Sequence, residues 1–160
     1  MANNGFRASR QLGIGKGAHV PRQGMAYGVK FQGIALKISG SPADLASIPL
    51  QFDKGLSGVW VPTRILVRNV TSKDNSAAKI RLHTAAAGGG QALCAETTLT
   101  GLTGTVNQLQ DVAVTLGGAA FTSEKIWLRQ TVDSGNTGTI DVYVQFVDMT
   151  DYDAAYHTAL

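Results

Sequence analysis

The sequence predicts an all-β protein: an antiparallel β-sandwich, a jelly roll of about eight strands, with an extended N-terminal arm. Three observations carry this. Apolar and polar residues alternate with period two in short runs, Gly, Pro, Asn and Ser punctuate those runs, and no convincing helix of three turns appears. The clearest stretch is Lys125 to Met149. There, two runs rich in β-branched and aromatic residues flank Ser134-Gly135-Asn136-Thr137-Gly138, which reads as a β-hairpin.

Residues 1 to 25 show neither period. They carry Gly5, Gly13, Gly15, Gly17 and Gly24 with Pro21 and the basic residues Arg7, Arg10, Lys16 and Arg22. Long structureless segments are usually functional or disordered, so this segment reads as an arm, mobile or laid over a partner, and residues 26–160 as the sandwich. Tyr27, Val29 and Phe31 share a face, as do Ile34, Leu36 and Ile38. The change of parity across Gly33 suits a β-bulge. Pro42 to Ala46 reads as a single helical turn. Ile48 to Phe52 follows as a short edge strand, because Pro49 cannot donate to a ladder.

Asp53-Lys54-Gly55 is a turn. Val59 to Val70 reads as a long strand with Val59, Val61, Ile65 and Val67 inward. Trp60, Pro62, Arg64, Leu66 and Arg68 fall on its other face, and Pro62 demands an edge or a break. Ala77 to Ala87 places Ala78, Ile80 and Leu82 inward and Lys79, Arg81 and His83 outward. Gly88-Gly89-Gly90 reads as a flexible loop. Leu93 to Thr100 and Val112 to Leu116 complete the strands before Phe121. In the closing pair, Ile126, Leu128, Val132, Ile140, Val142, Val144 and Phe146 are the expected core face. Trp127, Arg129, Asp141, Tyr143, Gln145 and Val147 form the other face, too apolar for a purely solvated sheet.

At 160 residues the chain suits one domain that buries about two thirds of its extended-chain surface. Charged residues are only 16%, which argues against a disordered chain or a coiled coil. The net charge of +3 demands no anionic partner. Its distribution is uneven: no acidic residue precedes Asp44, while Asp148, Asp151 and Asp153 crowd the far end without Lys or Arg. Such ends attract one another over about a Debye length of 8 to 10 Å, though exposed pairs contribute little. Cys94 is the single cysteine, so no intrachain disulfide can form, and its apolar setting predicts a buried thiol. Met1 to Gly5 lacks a secretory h-region and no apolar run reaches about 18 residues, so a soluble protein made in a cytoplasm, without a membrane partner, is expected.

No catalytic constellation emerges, and neither an enzyme nor a cofactor is expected. Asp141, Asp148, Asp151 and Asp153 read as solvated strand-end acids rather than a glycosidase pair, and Asp148 to Asp153 lacks the Gly and Glu of a calcium loop. His19, His83 and His157 lie far apart with no zinc spacing, and His83 reads as a surface residue. There is no Gly-x-Ser-x-Gly, and Gly13-Ile14-Gly15-Lys16-Gly17 has no strand before it or helix after it. Arg64, Arg68, Lys79, Arg81 and Arg129 near Trp60 and Trp127 resemble a single-strand nucleic-acid groove. The charge excess is small, however, and Trp and Arg together suit a protein interface better.

The Gly-rich, Arg-bearing front end, the low-charge Ala/Thr/Gly/Val body and the strand Asp141 to Asp148 together resemble small virion proteins of tailed bacteriophages, particularly head decoration or cement proteins. The resemblance implies a homo-oligomer, usually a trimer, made in the host cytoplasm and assembled on the capsid surface against the major capsid protein. The candidate partner or subunit interface is then Arg7, Arg10, Lys16, Arg22, Trp60, Arg64, Arg68, Trp127, Arg129, Tyr143 and Tyr152. The alternative is a receptor- or glycan-binding sandwich of a fibre or other appendage, with Trp60, Trp127, Tyr143 and Tyr152 as stacking faces.

Overall fold

A computed structural model describes residues 26–50, 60–115 and 125–148. Eight strands occur there: β1 (Ala26–Ala35), β2 (Ala43–Pro49), β3 (Trp60–Asn69), β4 (Lys79–His83), β5 (Thr97–Thr98), β6 (Leu109–Val112), β7 (Lys125–Val132) and β8 (Thr139–Asp148). A 3₁₀ turn, Ala86–Gly88, follows β4. The strands form two four-stranded sheets, ordered β1-β8-β3-β6 and β2-β7-β4-β5, and every strand pairing is antiparallel. The protein is a β-sandwich.

The core lies between the sheets. Phe31, Ile65, Val67, Val112, Ile140, Val142, Val144 and Phe146 come from the first sheet, and Ile80, Leu82, Ile126 and Leu128 from the second. Loop residues Leu93, Cys94, Leu99 and Leu102 close the sides. Each buried side chain of this size contributes roughly 1.5 to 3 kcal/mol. Burial also pushes the Cys94 thiol above its ordinary pKa, as a structural cysteine requires.

The expected hairpin does not form. β7 pairs with β2 and β4, whereas β8 pairs with β1 and β3. Both strands are central in their sheets, so each needs a neighbour on both sides, and the Asp133 to Gly138 link carries the chain from one sheet to the other. The link is tied to the β1–β2 connection: Ser134 N–H donates to Lys37 O at 2.9 Å, Leu36 N–H to Gly138 O at 2.9 Å, and Ser41 N–H to Asp133 Oδ1 at 3.0 Å. Gln130, on the inward parity of β7, is fully buried and satisfied by the same connection. Its amide accepts from Lys37 N–H and donates to Lys37 O, both at 2.8 Å.

Bulges decide which side chains point inward. Between Phe31 and Ile34 the register shifts, so Gln32 and Gly33 stand opposite Asp141, at the position expected for a bulge. Gly33 has φ +63°, a conformation that costs glycine nothing. In β3 the extra residue is Thr63, between the pairs Pro62–Phe146 and Arg64–Gln145. It reverses the parity, so Trp60 joins Ile65 and Val67 in the core instead of the outer face where simple alternation puts it. Pro62 sits at this break, beyond the residues of β3 that pair with β6.

Three further expectations are corrected. Asp44 to Ala46 belong to an edge strand with its own bulge at Leu45, not a helical turn. Val132 is 41% exposed rather than in the core, because the register slips at Thr131. Ile38 lies beyond the end of β1 and is exposed. The Asp53–Gly55 turn, the arm, Phe121 and the terminal acidic residues Asp151 and Asp153 lie outside the described residues.

Candidate subunit-contact faces

The outer face of the first sheet is organised by Asp141. Its position opposite the Gly33 bulge brings three strands onto one carboxylate. Gly33 N–H donates to Oδ1 at 2.7 Å, Lys30 Nζ stands 3.0 Å from Oδ2, Arg68 Nη2 donates to Oδ2, and Tyr143 OH reaches Oδ2 at 3.4 Å. The Asp141 side chain is 2% exposed, so it is a buried ion-pair centre and not a solvated acid. Burial by itself raises its pKa. The Gly33 amide and the two cations outweigh burial and hold it down at about 2.

Lys30 also lies over the Tyr143 ring, 5.1 Å from its centroid. Across the sheet Tyr143 pairs with Leu66, and Leu66 with Asp111, whose carboxylate takes Arg64 Nε at 3.0 Å. Tyr143, Leu66 and Val147 are half-buried on this face, interleaved with charges that already have partners.

The second sheet's outer face carries Trp127, Arg129, Arg81, His83 and Asp44. Arg129 pairs in register with both Asp44 and Arg81, and Trp127 with Ser47 and His83. Arg129 Nη1 donates to Asp44 Oδ1 at 2.7 Å, and Ala87 N–H donates to Asp44 Oδ2 at 2.7 Å. Burial raises the Asp44 pKa, but these two donors prevail and lower it. The 3₁₀ turn is therefore pinned over the sheet. A Cβ at Gly88 would stand 3.4 Å from the Arg129 side chain and 3.8 Å from His83 Cε1, so the glycine allows close approach.

His83 lies beneath this turn, 3% exposed, and is not the surface residue that its outward parity suggests. Burial, with Arg81 and Arg129 nearby, holds its imidazole below the ordinary pKa against the opposing pull of Asp44 and a hydrogen bond to the Gly89 backbone. Gly88 to Gly90 is thus a packed turn. Gly90 has φ +67°, and Gln91 N–H donates to Thr84 Oγ1 at 2.8 Å to close it.

The predicted interface residues divide accordingly. Arg64, Arg68 and Tyr143 share the outer face of the first sheet, and Trp127 and Arg129 the outer face of the second. Trp60 is 2% exposed in the core and belongs to neither. Arg7, Arg10, Lys16, Arg22 and Tyr152 lie outside the described residues. Sequence reasoning missed Lys30 and Asp44, and it misjudged Asp141. The available signal was a lone carboxylate amid the apolar residues of β8, aligned with a glycine bulge. Among the described residues, no three His, Cys, Asp or Glu side chains gather as a metal site, and no helix is long and apolar enough to cross a membrane.

No protein-family model and no curated protein matches the sequence. Among solved structures, the chain is similar to one in the cyanophage Pam1 capsid asymmetric unit, with 12% identity, TM-score 0.38, and coverage of 82% of this chain and 91% of that one. It is similar to one in the capsid of Ralstonia phage GP4, with 15% identity, TM-score 0.41, and coverage of 82% and 90%. It is also similar to the Tobacco streak virus coat protein, with 10% identity, TM-score 0.36, and coverage of 82% and 90%.

Proposed function

We propose that the protein is a non-enzymatic structural component of a virion, a decoration or cement protein that binds the outer capsid shell and stabilises the head. Its partners are then the major capsid protein and further copies of itself, as a trimer, at the capsid surface. Residues 1–25 act as the docking arm. We read the order β1-β8-β3-β6 facing β2-β7-β4-β5 as the eight-strand jelly roll, an architecture used by viral capsid domains and by lectins. The observation that carries the choice between them is the outer face of the first sheet. Its half-buried Tyr143 and Leu66 sit among cations that are each paired with Asp141 or Asp111. Such a face suits protein contact, where charges satisfied within the subunit are less costly to desolvate.

The glycan-binding alternative loses support on the same grounds. Trp60 is in the core and Lys30 covers the Tyr143 ring, which leaves Trp127 as the one proposed stacking residue that is neither buried nor capped among the described residues. Nucleic-acid binding is weakened because Arg64, Arg68 and Arg129 each have a carboxylate partner. The test is binding to shells of the cognate major capsid protein that lack this protein. Stoichiometric occupancy, lost when residues 1–25 are removed from a chain that still folds, supports the proposal. Undiminished occupancy by the truncated chain sinks the arm's role, and no occupancy by the full chain sinks the decoration reading.

A further inference from the structure

We propose that the outer face of the second sheet is a docking surface for an acidic segment of a partner protein, with Arg81 receiving a carboxylate and Trp127 packing beside it. Lys79, Arg81 and Arg129 occupy the outward side of the β4–β7 ladder. Lys79 Nζ is 3.2 Å from Glu96 Oε1, and Arg129 Nη1 is 2.7 Å from Asp44 Oδ1. Among the described residues the Arg81 side chain has no ion pair or hydrogen bond, its Nε is buried without a partner, and Glu96 acts on it only through a longer-range attraction.

The surroundings make that vacancy costly. Arg81 stands directly across the ladder from Arg129, so it adds repulsion to a half-buried site. His83, two residues along the same face, supplies no compensating charge. It is buried under the 3₁₀ turn, and among the described residues its Nδ1 has no hydrogen-bond partner. On the opposite face of the sandwich Lys30, Arg64 and Arg68 each have a carboxylate. Arg81 is the exception, and it lies on a central strand, not at a rim.

A carboxylate meeting a guanidinium gains charge-assisted and geometrically matched hydrogen bonds. Arg and Trp are the residue types in which interface energy concentrates, and Trp127 is half-buried in register with His83. The occupant follows from the local balance. Asp44 and Glu96 are taken up by Arg129 and Lys79, which leaves Arg81 as the cation of this ladder with no carboxylate at pairing distance among the described residues. One such cation suits a single Asp or Glu side chain and offers a polyphosphate strand too few charges to hold it. This surface is a property of the isolated chain and does not depend on the virion role.

The test is a titration of the full chain with a short peptide of alternating aspartate and glycine, followed by the Arg81 Nε–H and Trp127 indole N–H resonances. Both should shift saturably. Arg81→Gln should weaken binding by about tenfold or more, as expected for loss of a hydrogen-bonded charge, while Arg64→Gln on the opposite sheet should leave it unchanged. Arg81→Lys, which keeps the charge and loses the fork, should fall between them and serves if Arg81→Gln does not fold. Absence of any shift, equal binding by the folded Arg81 variants and the parent, or tighter binding of a single-stranded oligonucleotide through the same resonances would each overturn the proposal.

Discussion

Replacing Asp141 by Asn tests the centre of the first sheet's outer face. The substitution preserves shape and leaves an oxygen for the Gly33 N–H, but it removes the charge that Lys30 and Arg68 share. The carboxyl titrates at about 2 in the folded chain against an ordinary 3.8. At about 1.4 kcal/mol per unit, the charged form contributes about 2 kcal/mol of stability at neutral pH. Breaking a fully buried pair costs more, about 3 to 5 kcal/mol, because the abandoned charge stays dry. Here the side chains of Lys30 and Arg68 are 31% and 34% exposed, so water reaches them and the smaller figure applies.

The pH dependence gives the sharper check. A depressed carboxylate pKa means that the contribution is complete above about pH 4 and disappears as pH falls through the folded value near 2. Urea denaturation of both proteins, followed by tryptophan fluorescence, should show a gap of about 2 kcal/mol at pH 7 that narrows below about pH 4. Other carboxylates titrate in both proteins and cancel in the difference. A gap under about 0.5 kcal/mol at pH 7, or one undiminished at pH 2, refutes the assignment of Asp141 as an ion-pair centre.

Five other substitutions probe separate parts of the fold. Trp60→Ala should cost about 3 to 5 kcal/mol in chemical denaturation as a core truncation; Trp127→Ala on the outer face should cost about 1 kcal/mol or less. Gly138→Ala would place a Cβ 1.8 Å from Asn75 Oδ1 and should destabilise by about 1 to 3 kcal/mol. Gly28→Ala, with its nearest atom at 4.0 Å, should stay within about 0.5 kcal/mol and serves as the control. Tyr143→Lys should lower self-association or shell binding, measured by sedimentation, more than it lowers the melting temperature; equal loss of both would contradict a contact role for that face.

Much of this was legible in the chain. Period-two alternation marked Ile126, Leu128, Ile140, Val142, Val144 and Phe146 as core, and all six are buried. The parity change at Gly33 marked the bulge in β1. Cys94, in its small apolar run, is buried and free. These signals are local: each is written within a few residues, and a strand with one buried face has no other way to satisfy its alternation.

What only the tertiary structure decided is the set of relations between distant residues. Ser134 to Gly138 has hairpin composition, yet it joins two sheets, because strand pairing depends on what β1 to β4 offer as neighbours and not on the link. One additional residue, Thr63, turned Trp60 from the outer face into the core, and such an insertion is visible only against the register of β8. Asp141 and His83 follow outward parity, as alternation requires. Their burial comes from Lys30, Arg68 and a glycine turn folded over them, partners remote in sequence or free of any periodic signal. Alternation fixes the side of the strand on which a residue lies; whether that side is dry depends on what the rest of the chain places against it.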